Sequence, residues 1–193
     1  QGCEHGCIYC YARPTHAYLG LSPGLDFETQ IFAKPDAARL LREELSKPGY
    51  ACSTIALGTA TDAYQPFERQ QKLTRAVLEV LLETRHPVSV VTKSSLVARD
   101  LDLWSELARL NLAHVAISLT TLNGPLARQL EPRASAPHAR LEAIARLAEA
   151  GVPVSVFVAP LIPGINDHEL EKLLAAAREH GAGSASYTLL RLP

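Results

Sequence analysis

The sequence predicts a single α/β domain built on a parallel sheet, and three observations predict it. Short β-branched runs start at residues 53, 88, 115, 154 and 184, at intervals of 35, 27, 39 and 30 residues, which suit repeated βα units. Amphipathic stretches with a 3.6-residue period fill those intervals. Several of the runs are apolar on both faces, as strands covered by helices on both sides must be.

The elements follow in order. A helix over residues 35–46 comes first, its proline standing where a helix start tolerates one. The strand at 53–57 (STIAL) precedes a helix whose Leu73, Val77, Val80 and Leu81 share a face. The strand at 88–92 (VSVVT) leads to a helix with Asp100 expected at its N-cap and Leu103, Leu107 and Leu110 on its apolar side. After the strand at 115–119 (VAISL), Leu141, Ile144 and Ala148 repeat the helical pattern. The strand at 154–159 (VSVFVA) is followed by a helix that starts after Asn166 and Asp167 and presents Leu170, Leu173, Leu174 and Ala177. The last strand is read at 184–192 (SASYTLLRL). The helix at 35–46 needs a strand before it in this scheme, so one is expected just upstream of Gln1. The chain contains no methionine and reads as a piece of a longer one.

Such a series closes as a barrel or opens as a doubly wound sheet, and in both cases ligands bind at the carboxyl ends of the strands. Those ends carry residues 58–62 (GTATD), Lys93 with Ser94 and Ser95, Ser118 with Thr120 and Thr121, residues 163–167 (PGIND), and Arg191. Nearly all of them offer hydroxyls, a charge or a glycine.

Composition narrows the function classes. With 47% hydrophobic and 20% charged residues in 193, the chain can bury a substantial core. A net charge of -1 exerts no global pull on nucleic acid, so such a partner is permitted but not argued for. No apolar run approaches the ~18–20 residues that span a bilayer, so membrane insertion is not expected. Three of the four cysteines are clustered, unlike the even spacing of a disulfide scaffold, and a reducing cytoplasm is the expected compartment.

That cluster, Cys3, Cys7 and Cys10 in the pattern CxxxCxxC, is the strongest chemical signal in the chain. Gly2, Glu4, Gly6 and Arg13 around it mark a polar loop rather than a core element. Zinc prefers four ligands, and here His5 or His16 would have to complete the set. A cube of four irons held by three cysteines leaves one iron open to a substrate or cofactor. The alternatives are a zinc- or iron–sulfur-binding structural module without turnover, or thiols that are simply unconnected.

CxxxCxYC at the head of a parallel βα series resembles the radical S-adenosylmethionine (radical SAM) superfamily. GCEHGCIYCYARPTHAYLGLSPGLDFE, ALGTATDAYQPFERQ, VTKSSLVARDLDLW, SLTTLN, LEPRASAP, APLIPGIND and the closing LLRLP are similar to its spore photoproduct lyase-like group, which includes bacterial "DNA repair photolyase-like" proteins. The resemblance implies a partial (β/α)6 TIM-like barrel and one radical SAM core domain over residues 1–193.

It also implies a chemistry. Cys3, Cys7 and Cys10 would hold a [4Fe-4S] cluster, and S-adenosyl-L-methionine would chelate the open iron. Reductive cleavage of the sulfonium would then yield a 5'-deoxyadenosyl radical that abstracts hydrogen. An electron donor such as flavodoxin or ferredoxin is implied, with a nucleic acid lesion as substrate by analogy. Tyr9 would pack beside the adenine, and Thr59, Thr61 and Asp62 would stand in the turn that meets the methionyl amino group. Lys93 would reach the cofactor and Ser118 the ribose. Arg133, with Arg128 as competitor, would bind the methionyl carboxylate, and backbone groups of 158–162 would face the adenine. No residue is assigned to catalysis itself. Cys52 precedes its strand, far from the rim, and is expected to be a buried core thiol rather than a hydrogen donor.

Overall fold

β-branched residues build the centre of the molecule. In the computed structural model, which describes residues 1–190, Ile55–Leu57 (β1), Val88–Thr92 (β2), Ala113–Ser118 (β3), Val154–Leu161 (β4) and Ser184–Leu189 (β5) form one sheet. The strand order is β1-β2-β3-β4-β5 and every neighbouring pair is parallel. A doubly wound sheet reverses its strand order at a switch point, and this one does not, so the arrangement is that of a partial TIM-like barrel. Matching registers such as Val90↔Val115 and Ile117↔Val156 line the valine and isoleucine side chains into layers.

The helices are Asp26–Thr29 (α1), Ala37–Leu45 (α2), Glu68–Gln71 (α3), Leu73–Glu83 (α4), Leu101–Arg109 (α5), Gly124–Leu130 (α6), Pro137–Glu149 (α7) and Leu170–Glu179 (α8). Short 3-10 segments cover Arg13–Leu19, Ser95–Asp100 and Asp167–Glu169. Leu78, Leu81, Trp104, Leu107, Ile144, Leu147 and Leu173 pack against Val115 and Ile117 with almost no exposure. Each such side chain contributes about 1.5–3 kcal/mol of burial. Among the described residues no helix is long and apolar enough to cross a membrane.

Several expectations need correction. Asp100 sits at the start of α5 but makes no capping bond. Its fully buried carboxylate accepts instead from Arg75 Nη1 at 3.1 Å and from Arg99 Nε at 2.9 Å. Two guanidiniums offer a buried carboxylate more than one backbone amide does. Pro35 lies outside α2, ahead of Asp36. Leu110 ends α5 rather than joining its apolar face and is 42% exposed. Cys52 is exposed, because pairing starts only at Ile55 and nothing covers the preceding segment. In β5, Tyr187 and Leu189 are exposed, so the apolar run there is not yet a covered strand among the described residues. Arg191 and Leu192, read as part of the last strand, lie outside the described residues.

Candidate active site

The cysteine loop lies across the carboxyl ends of the strands. Gly2 and Gly6 take positive φ values of 92° and 70°, which lets the loop turn back on itself. It is fastened at several points. Cys3 N donates to Phe27 O at 2.9 Å, Ile8 N to Leu130 O at 3.0 Å, and Glu4 N to Gln65 Oε1 at 2.9 Å. Gln65 Nε2 returns a bond to Gly2 O at 3.1 Å. Cys3 and Cys7 are buried and Cys10 is half-buried. Burial pushes the Cys3 thiol up to about 11 and the Cys7 thiol up to about 12. A bound metal stabilises the thiolates that burial disfavours.

The three thiols line a cavity of about 490 Å³ that runs from the loop to the ends of β1–β4 and to residues 188–190. Tyr9, Thr59, Thr61, Asp62, Lys93 and Ser118 all face it, so the structure brings six of the seven expected cofactor contacts together. At Gly58, φ is 85° and a Cβ would overlap the Val91 carbonyl oxygen. Only glycine lets β1 turn there into residues 59–62.

Asp62 ties the rim together. Its carboxylate accepts from Thr92 Oγ1 at 2.6 Å, from Tyr64 N at 2.8 Å and from Lys93 N at 2.7 Å, and it lies 3.1 Å from His5 Nε2. Burial opposes its charge. The His5 imidazole and the hydrogen bonds from Lys93 N and Thr92 outweigh that and hold the carboxyl well below the usual range.

Lys93 stands between β2 and β3. Its Nζ donates to Ser118 Oγ at 3.0 Å, lies 4.0 Å from Glu131 Oε1, and sits 5.8 Å from the centroid of the Tyr9 ring. An ammonium has three donors, so one bond to Ser118 leaves others to meet a ligand.

Sequence reasoning missed Glu131, the buried centre of this wall. It accepts from Thr120 Oγ1 at 2.8 Å and from the Tyr9 hydroxyl, and it pairs with Arg140. Burial works against its charge, but Arg140 and Lys93 hold its carboxyl below the ordinary value. Burial beside that carboxylate raises the Tyr9 hydroxyl in turn. Arg140 also donates to Ser118 O at 2.8 Å and Ser135 O at 2.7 Å. These partners lie 9 and 122 residues from Glu131 in the case of Arg140 and Tyr9, and no local pattern announces them.

Arg133 is the expected contact that the structure does not bring into the cavity wall. Its guanidinium donates to Glu4 O and pairs with Glu28 instead of facing the cavity. Arg128 lies on α6 and takes no part. Of residues 158–162, Ala159 and Pro160 reach the cavity. Asn166 and Asp167, which precede the last helix, make no side-chain cap on it. Asn166 Oδ1 accepts from Ile162 N at 2.6 Å while Nδ2 donates to Thr120 O at 2.8 Å, and Asp167 accepts from Gly164 N at 2.8 Å, so both close the loop after β4.

Neither histidine that a zinc site would need is free to complete one. His5 spends its ring on Asp62 and on Arg133 O at 3.3 Å. His16 is buried between Phe27 and Phe32, with Nε2 on the carbonyl of Gln30 at 3.1 Å. Neither histidine joins the three thiols, and among the described residues no three His, Cys, Asp or Glu gather around one ion position. A single ion needs such convergence, whereas a cube spreads its ligands over separate irons.

Comparison with known proteins agrees with this geometry. The Radical SAM superfamily model matches residues 1–177. An uncharacterized protein of Mycobacterium tuberculosis is 40% identical over 184 residues, covering 94% of this chain and 54% of that protein. A protein of a Pseudomonas phage named radical SAM Nalpha-GlyT isomerase is 27% identical over 184 residues, covering 92% of this chain and 36% of that protein. The chain therefore spans about half or less of these relatives' length. Among solved structures, a spore photoproduct lyase mutant with bound AdoMet and dinucleoside spore photoproduct superposes with a TM-score of 0.67 at 19% identity, over 100% of this chain and 55% of that one. The fold, the match over most of the chain and the thiol-lined cavity lead to one conclusion: this chain belongs to the radical SAM superfamily, whose enzymes use a [4Fe-4S] cluster and S-adenosylmethionine.

Proposed function

We propose that residues 1–193 are the core domain of a radical SAM enzyme in which Cys3, Cys7 and Cys10 hold the cluster and the adjoining cavity takes S-adenosylmethionine. One observation carries the assignment: the three thiols and a row of polar strand ends line the same cavity. When bound, the cluster and cofactor supply one-electron cleavage of the sulfonium and the hydrogen-abstracting power that follows.

The chain's own residues bind and orient. Cys3 and Cys7 are buried and would hold the cluster away from water on the protein side. Lys93, steadied by Ser118 and Glu131, presents its remaining N–H groups to the cofactor's carboxylate as charge-assisted donors. Ser118 marks the ribose side, Thr59, Thr61 and Asp62 the turn on the side of the methionyl amino group, and Tyr9 provides an aromatic wall for the adenine.

A low-potential donor of the flavodoxin or ferredoxin kind would supply the electron, which places the work in a reducing cytoplasm. The substrate class this reading favours is a modified nucleobase, as in the dinucleoside spore photoproduct of the similar structure. With a net charge of -1, this chain would recognise it by shape and stacking rather than by a phosphate-attracting field.

The test is anaerobic incubation of the reduced, full-length protein with S-adenosylmethionine, followed by chromatography for 5'-deoxyadenosine. Product in the parent and none in the triple Cys3→Ala, Cys7→Ala, Cys10→Ala variant is the expected result. Equal yields from both would remove these thiols from the chemistry.

A further inference from the structure

Beside the cysteine loop lies an ion triplet that is not part of the cavity wall. Arg13 follows the loop, Glu28 belongs to α1, and Arg133 follows α6. Glu28 Oε1 pairs with Arg13 Nη2 at 2.5 Å and Glu28 Oε2 pairs with Arg133 Nη2. Each arginine then grips the loop's backbone. Arg13 donates to Cys7 O from Nη2 at 3.0 Å and from Nε at 3.3 Å, and Arg133 donates from Nε to Glu4 O. Arg133 N also donates to His5 O at 3.1 Å. Gly6 is part of the fit, because a Cβ there would overlap the Arg133 guanidinium.

We propose that Arg13, Glu28 and Arg133 form a clamp that positions the cysteine loop for its cluster and sets the charge the cluster feels. The inference rests on the reading that Cys3, Cys7 and Cys10 hold that cluster. Two guanidiniums and one carboxylate leave a net single positive charge against the loop, and a positive neighbour favours the reduced cluster. Arg133 is then a positioning residue rather than a ligand of the cofactor. Glu28, half of whose work is to hold Arg133, is the hub: it joins segments 105 residues apart in sequence.

The experiment uses the full-length protein reconstituted anaerobically with iron and sulfide, as parent, Glu28→Gln, Arg133→Met and Arg133→Lys. The readouts are the reduction potential from a titration followed by electron paramagnetic resonance, the rate of iron loss to a chelator, and the dissociation constant of S-adenosylmethionine. Removing the carboxylate leaves two uncompensated guanidiniums, so Glu28→Gln should raise the potential. Arg133→Met removes a positive charge and should lower it, with Arg133→Lys in between. Both Glu28→Gln and Arg133→Met should release iron about tenfold faster or more. Arg133→Met should bind S-adenosylmethionine as the parent does.

Opposite shifts in potential are a signature that loosened folding alone does not produce. Potentials and release rates equal to the parent's in both variants overturn the clamp. So does an Arg133→Met protein with an unaltered cluster and weakened S-adenosylmethionine binding, which would return Arg133 to the cofactor. Should Glu28→Gln fail to fold by circular dichroism, the half-exposed Arg133 still decides the question through its Met and Lys variants. A parent that takes up no four-iron cluster would instead refute the reading of the cysteines, and the clamp with it.

Discussion

Replacing Glu131 with Gln should lower the thermal midpoint of the protein by about 6–12 °C. The carboxylate and the Arg140 guanidinium it pairs with are 1% and 2% exposed at their side chains. Gln keeps the shape and one acceptor for Thr120, but it leaves Arg140 buried without a countercharge. Breaking such a pair from one side costs about 3–5 kcal/mol. The carbonyls of Ser118 and Ser135 still accept from Arg140, which sets the expectation at the lower end, about 3 kcal/mol. In a domain of this size each kcal/mol moves the midpoint by roughly 2–4 °C. Circular dichroism melts of the full-length apoprotein, kept reduced, measure it directly. A Glu131→Leu, Arg140→Met double variant should lose less than the two single changes summed, because neither charge is then stranded. A Glu131→Gln midpoint within about 1 °C of the parent would show that the pair does not hold this wall together.

Other expectations follow from the same geometry. Lys93→Met should weaken S-adenosylmethionine binding about 10- to 100-fold through loss of a charge-assisted bond, read by calorimetric titration of the cluster-loaded protein, and unchanged affinity would remove Lys93 from the cofactor. Gly58→Ala should destabilise the fold by at least about 2 kcal/mol in urea unfolding, since both a positive φ and the fixed Val91 carbonyl oppose a Cβ; a neutral outcome would refute the close approach of β1 to Val91. Asp62 has a folded-state value below its unfolded one, so it stabilises the protein above the ordinary value of 3.8 and that contribution fades as pH falls through and below it. Urea midpoints between pH 6 and about pH 3 should therefore drop more steeply in the parent than in Asp62→Asn. In the apoprotein a maleimide should label exposed Cys52 well before buried Cys3 and Cys7, and mass-mapped labelling in the reverse order would contradict the burial described.

Much of the fold was legible because burial forces β-branched runs at β2, β3 and β4 and a 3.6-residue stripe on the longer helices, while β1 and β5 are largely uncovered. VSVVT and VSVFVA could hardly be anything but central strands, and they are β2 and most of β4. The short helices α1, α3 and α6 escaped notice, since four to seven residues show too little of a helical period. In the site, the cysteines stood out by their CxxxCxxC spacing and Lys93 by its place at a strand end, and the structure sets all four on one cavity. Glu131 and the Glu28 clamp were not. Their partners come from distant segments, and an acidic residue destined for a buried pair looks like one destined for water. Arg133 was read as a carboxylate ligand from its type, and the fold sets it against Glu28, outside the cavity wall.

The fastening of the cysteine loop bears on how this protein must mature. Glu4 is tied to Gln65 and to Phe67 N, 61 and 63 residues away, and His5 meets the carbonyl of Arg133 across 128. Such distant closures form late, after the intervening chain has condensed. A nascent polypeptide therefore displays three loose thiols long before it owns a cradle, and a cluster delivered then would find no walls to shelter it. If the thiols hold a cluster as proposed, iron loading would wait until the segment through Arg133 has folded back onto the loop and given the centre its enclosure.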